Sequence, residues 1–149
     1  MTDTQVLSAP HFMEFTYTRS TGPVIGAFLT GLRDRKVLGA RDSGGRVVVP
    51  PPEYDAATAA ATDATALVEV GAEGVVTSWS WNPTPRLGQP FDRPFAWVLV
   101  QLDGADTSLL HALDVPDAGA VRTGMHVRVR WAGETVGDIH DIAFFEAAS

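Results

Sequence analysis

Asp138, His140 and Asp141 form the densest polar cluster of the chain, inside TVGDIHDIAFFE. Read as a strand, this run puts Asp138 and His140 two apart on one face. An acid–base pair or a partial metal site would need that arrangement. The same pattern suits a solvated edge strand, whose charges oppose edge-to-edge pairing, and the plainer reading is preferred. His111 and Asp114 lie three apart in another strand-like run, so they point to opposite faces and form no direct dyad. No nucleophile sits in an evident base-assisted setting, so no catalytic residue is assigned and no activity is expected of the chain alone. The glycines at 71, 74, 88 and 104 fit no phosphate-binding loop. There are no cysteines, which removes disulfides and thiolate metal sites.

MHVRVRW (125–131) alternates cleanly, placing His126, Arg128 and Arg130 on one face and Met125, Val127, Val129 and Trp131 on the other. The plain reading is a solvent face beside a core face. The sharper one is a basic stripe meeting phosphates or an acidic partner surface, where arginine makes bidentate contacts. Of Trp79, Trp81, Trp97 and Trp131, most are expected in the core. An exposed one near Phe91 would suit an interface, where tryptophan and arginine are enriched.

These residues need elements to hold them. Residues 1–10 read as disordered, and FMEFTYT (12–18) as a short strand or arm with Met13, Phe15 and Tyr17 on one face. Thr21-Gly22-Pro23 opens a helix, with proline at its first position. Val24, Ile25, Phe28, Leu29 and Leu32 follow at helical spacing. This stripe either packs on the chain's own barrel or docks on a partner; the proline- and alanine-rich stretch after it favours docking, with a barrel that folds without it. From residue 67 the texture turns to strands. LVEV and GVVTSWSW read as one long strand broken at residues 71–74. FAWVLVQLD, TSLLHALDV, MHVRVRW and TVGDIHDIAFFE supply four more, with an irregular connector between the third and fourth. Five short strands in this pattern predict a partly open Greek-key barrel, an OB-fold, with a small β-sandwich as the rival.

The charge balance narrows the partners. Ten arginines and one lysine face 18 acidic residues, for a net charge of −7. Such a chain is a poor general binder of phosphate backbones, so a single-stranded nucleic-acid-binding OB-fold is retained only as the alternative function. The amino-terminal residues show no secretory signal and no run of about 18 apolar residues occurs, so no membrane span and a cytoplasmic location are expected.

In order and spacing, several segments resemble a known family. These are PVIGAFLTGLRDRKVLGAR, GGRVVVPPPEYD, GAEGVVTSWSW, PFDRPFAWVLVQLDGADTSLLHAL and TGMHVRVRW, within a resemblance that extends over roughly residues 12–146. The family is the acyl-CoA-associated zinc-ribbon/OB-fold family, domain of unknown function number thirty-five. The resemblance implies a mainly β fold. It comprises an N-terminal arm and amphipathic helix (1–40), a ribbon-like segment (41–66) and a five-stranded OB-fold barrel (67–149). Family members carry two Cys-x-x-Cys knuckles around the proline turn. The matching positions here are Arg41, Gly44, Asp55 and Thr58, with no thiolate among them. A structural zinc wants four Cys or His ligands, so the ribbon is expected to be degenerate and free of zinc.

By resemblance, the chain is an accessory subunit of a thiolase-like acyl-CoA enzyme, closest in kind to the partners of steroid side-chain aldolases. An enoyl-CoA hydratase-like subunit is a further expected partner, and acyl-CoA a shared ligand. His126, Arg128, Arg130, Trp81 and Phe91 are then the CoA- or partner-binding residues, and Ile25, Phe28, Leu29 and Leu32 the docking helix.

Overall fold

A computed structural model describes residues 8–18 and 20–148. The disorder expected for residues 1–10 therefore lies outside the described residues at positions 1–7. Residues 8–18 form neither strand nor helix. Phe12, Met13, Phe15 and Tyr17 are each more than 70% exposed.

Helix α1 (Pro23–Arg33) starts where the Gly-Pro signal predicts. Its first turn is capped from outside its own segment: Glu53 Oε1 accepts hydrogen bonds from the Val24 and Ile25 N–H groups at 3.0 and 2.9 Å. Two of the helix's orphan donors are thereby satisfied by the proline loop. Gly22 precedes the helix at φ 83°, and a Cβ there would lie 2.6 Å from the Glu53 carboxylate. Val24, Phe28 and Leu32 are buried in the chain itself.

Three short strands follow the helix: β1 (Val37–Arg41), β2 (Val47–Val48) and β3 (Val68–Val70). They form an antiparallel sheet in the order β2-β1-β3. The expected long first strand is thus two elements. LVEV joins this small sheet, and the barrel begins only at β4 (Glu73–Asn82), because the chain turns at Gly71. The Ala/Thr-rich stretch is a loop that folds back on itself, with Tyr54 bridged to Ala61.

The barrel comprises β4, β5 (Phe95–Leu102), β6 (Ser108–Leu113), β7 (His126–Trp131) and β8 (Ile142–Ala147). It closes in the order β4-β5-β6-β8-β7, with β4 paired back to β7. All pairs are antiparallel except β6–β8. This is the OB-fold connectivity, as the strand pattern predicts. Closure demands close approach at Gly74, where a Cβ would stand 2.2 Å from the Gln101 carbonyl oxygen. The connector before β7 contains one 3-10 turn, Ala118–Ala120, capped by Asp117.

TVGDIHDIAFFE is not one strand. A second 3-10 turn, Ile139–Asp141, precedes β8. Asp138 and His140 do not share a strand face; they form the cap of that turn. Asp138 Oδ1 accepts from the His140 backbone N–H, and its partner on the ring is His140 Nδ1. Asp141 turns inward and accepts from the N–H groups of Val136, Gly137 and Asp138.

Helix, small sheet and barrel share one apolar core. Phe28, Leu32, Val37, Val47 and Val70 belong to the same buried cluster as Val98, Val127 and Phe145. Polar ties reinforce the seam. Val47 N–H donates to Asp106 Oδ2 at 2.8 Å, and Val49 N–H to Thr107 Oγ1 at 2.8 Å. The expected freestanding docking helix is therefore corrected: Phe28 and Leu32 are core residues, and only Ile25 and Leu29 of that stripe keep partial exposure.

Candidate functional site

Strand β7 alternates as its sequence dictates. Val127 and Val129 are buried, whereas His126, Arg128 and Arg130 are exposed. Arg128 lies opposite Glu146 of β8, and its Nε donates to Glu146 Oε1 at 2.8 Å. Arg130 lies opposite Phe144, with Nη1 4.0 Å from the same carboxylate oxygen. A third guanidinium joins from the far end of the chain. Arg35, in the turn between α1 and β1 at φ 58°, reaches the loop after β7, where Nη2 stands 3.4 Å from the Gly133 carbonyl.

Together these groups line an open groove of about 720 Å³, with Trp131 and Phe144 as its apolar wall. Three guanidiniums face one carboxylate, so the groove is locally cationic on an acidic chain. Arginines held this way suit phosphates or carboxylates, which they bind through paired N–H groups.

The other expected site residues lie elsewhere. His126 is exposed on the same face but does not line the groove. Trp81 is half-buried against the core at the end of β4. Phe91 is half-buried and packs against Phe95 and Phe144, with centroids 5.4 and 5.2 Å away, while Arg93 sits 4.8 Å above its ring. None of the four tryptophans is fully buried, against the expectation that most would be core: Trp81 and Trp131 pack against the core and Trp79 is 38% exposed. Arg35 carried no signal in the sequence, because only the packing of α1 brings it beside β7.

At the ribbon, Asp55 is one of the four positions that match the family's metal ligands, and its carboxylate links the two knuckles. Asp55 Oδ2 accepts from Ser43 N–H at 2.6 Å, and Oδ1 from Thr58 N–H at 2.8 Å and Thr58 Oγ1 at 3.0 Å. Ser43 belongs to the first knuckle and Thr58 to the second. Hydrogen bonding from Ser43 and Thr58 holds the Asp55 carboxyl well below the usual carboxylate range. Among the described residues, no group of three or more His, Cys, Asp or Glu is placed to hold a metal ion, and no helix is long and apolar enough to cross a membrane.

The architecture defines a class: a mainly β protein built on a closed five-stranded OB-fold barrel, carrying one helix and a small sheet. Residues 67–132 match the family described as ChsH2, C-terminal OB-fold domain. The OB-fold resemblance read from the sequence is thereby borne out. In fold, the chain is similar to a chain of the solved structure described as Ltp2-ChsH2(DUF35) aldolase. That match has a TM-score of 0.63 and 19% identity, covering 89% of this chain and 100% of the other. It is also similar to a protein of unknown function from the DUF35 family of Sulfolobus solfataricus. There the TM-score is 0.56 and the identity 22%, with 73% of this chain and 77% of the other covered. No curated protein sequence matches this chain.

Proposed function

We propose that this chain is a non-catalytic accessory subunit of a thiolase-superfamily acyl-CoA enzyme, of the kind that serves a steroid side-chain aldolase. The observation that carries the reading is the cationic groove of Arg35, Arg128 and Arg130 on a ChsH2-type OB-fold barrel of an otherwise acidic chain. The fold similarity to a chain of the structure described as Ltp2-ChsH2(DUF35) aldolase supports a role beside a partner enzyme subunit. The groove meets the phosphates of acyl-CoA or an acidic patch of the partner subunit, and the oligomer forms in the cytoplasm. An enoyl-CoA hydratase-like subunit is a further member of the complex.

Docking falls to the arm rather than the helix. Phe12, Met13, Phe15 and Tyr17 are apolar, exposed and adjacent in sequence. Burying each such side chain at an interface contributes roughly 1.5–3 kcal/mol. The ribbon works without zinc, its two knuckles joined by Asp55.

The test is co-expression with a thiolase-like subunit, followed by size-exclusion chromatography and CoA titration. A co-eluting complex that loses CoA affinity on Arg35→Ala with Arg130→Ala is expected. A monomer indifferent to that subunit, with no response to CoA, would overturn the proposal.

A further inference from the structure

Helix α1 ends in a hydrogen-bonded reversal. Lys36 N–H donates to the Gly31 carbonyl at 2.8 Å, and Arg35 N–H to the Leu32 carbonyl at 2.9 Å. In this closing motif the residue just past the cap takes the left-handed conformation, and that residue is usually glycine. Here it is Arg35, at φ 58°. A Cβ opposes that backbone conformation, so glycine would close the helix more easily. Departures of this kind persist where a side chain has a task that the surrounding structure supports.

The cations on either side of Arg35 are paired. Arg33 meets Asp34 at 3.5 Å, and Lys36 meets Glu69 at 3.5 Å. Among the described residues no carboxylate pairs with Arg35, and its guanidinium donates only to the Gly133 carbonyl, at 3.4 Å. On the same groove, Arg130 is 62% exposed at its side chain and approaches Glu146 no closer than 4.0 Å. Arg128 differs, since Glu146 holds its Nε at 2.8 Å. The groove therefore contains one neutralised guanidinium, Arg128, and two, Arg35 and Arg130, with most of their N–H donors open.

We propose that the groove selects a phosphomonoester gripped by Arg35 and Arg130, and that Arg35 keeps its left-handed position for that contact. The assignment rests on the reading that the groove takes the phosphates of acyl-CoA. A phosphomonoester carries roughly two negative charges near neutral pH and offers three acceptor oxygens, which matches two open guanidiniums. Each phosphate of a diester linkage carries a single charge and matches them less well. CoA has both kinds, a phosphomonoester on its ribose and a diphosphate within its chain. Trp131 and Phe144 offer the adjoining purine an apolar wall. Every residue of the grip belongs to this chain, so the contact needs no partner subunit.

Calorimetric titration of the full chain with CoA and with 3′-dephospho-CoA, which lacks only the phosphomonoester, tests this. CoA should bind about tenfold more tightly, the order that charge-assisted hydrogen bonds supply. Arg35→Gly should erase that preference while leaving the melting temperature unchanged or higher, because glycine suits the left-handed position. A residue that merely closed the helix would not combine those two results. Arg33→Ala removes the same charge two residues away and should preserve the preference. Equal affinity for the two nucleotides would overturn the phosphomonoester assignment and leave CoA binding itself standing. An Arg35→Gly protein that keeps the preference, or an equal loss with Arg33→Ala, would overturn the role of Arg35. Binding of neither nucleotide, to the chain alone or beside a thiolase-like subunit, would overturn both this assignment and the reading beneath it.

Discussion

Asp55 accepts a 2.6 Å hydrogen bond from the backbone N–H of Ser43, twelve residues earlier in the chain. The same carboxylate holds Thr58 and the Ala57 N–H, so one side chain joins two loops that a metal joins in ribbons bearing cysteines. Asp55→Asn places an amide donor against the Ser43 N–H and should loosen both loops. Faster hydrogen exchange at Ser43 and Thr58 would register it. The pH sign follows from the lowered pKa. The unfolded carboxyl titrates near 3.8 and the folded one below it, so this contribution is present above about pH 4 and is lost as pH falls further. Elemental analysis of purified protein should give far less than one zinc per chain; a stoichiometric value would refute the metal-free reading.

Phe28 and Leu32 tie the helix to the barrel core. Leu32→Ala should destabilise the protein by about 2–5 kcal/mol, the usual cost of truncating a fully buried leucine. Chemical denaturation measures it. A chain starting near residue 66 should aggregate, because Val70 and the barrel core would lose the apolar cover that Phe28, Leu32, Val37 and Val47 provide. A soluble, cooperatively folded barrel from that truncation would restore the freestanding helix.

Removal of the groove's charge should leave stability nearly unchanged. Arg128 faces Glu146 across two strands and both are partly exposed, so the pair is worth about 0.2–1 kcal/mol. Arg35→Ala with Arg130→Ala should shift the unfolding midpoint little, while CoA or partner affinity falls at least tenfold. Calorimetry at two salt concentrations checks this, because surface charge contacts weaken with ionic strength.

His111 imposes a second pH dependence. Its folded pKa lies below the ordinary 6.5 because of burial, so the unfolded chain binds the proton more readily. Stability should therefore be full above about pH 6.5 and decline as pH falls from there towards the folded pKa. His111→Leu should flatten that slope between pH 5 and pH 7 in thermal melts, whereas the lower-pH loss from Asp55 persists.

Glu53 anchors the helix start from a loop nearly thirty residues away. Glu53→Ala should cost about 0.5–2 kcal/mol, the range for a lost N-terminal cap, read by denaturation. Glu53→Gln keeps an acceptor and should recover most of it.

Local patterns in the chain determined much of this protein. The Gly22-Pro23 start, the apolar spacing of α1, the alternation of β7 and the five-strand barrel are set by short-range sterics and by the periods of helix and strand. Tertiary structure decided the rest, because it depends on which surfaces meet. The helix stripe reads the same whether it faces a partner or its own barrel; only the cluster with Val37 and Val98 assigns it to the core. Asp138 and His140 share a face only if the backbone stays extended, and Asp141 instead draws three N–H groups into a turn. Arg35 enters the groove, and His111 packs edge-on to Phe145, through contacts between residues far apart in sequence. Residue spacing carries no record of such contacts, since they arise when separate elements bury their apolar faces against one another.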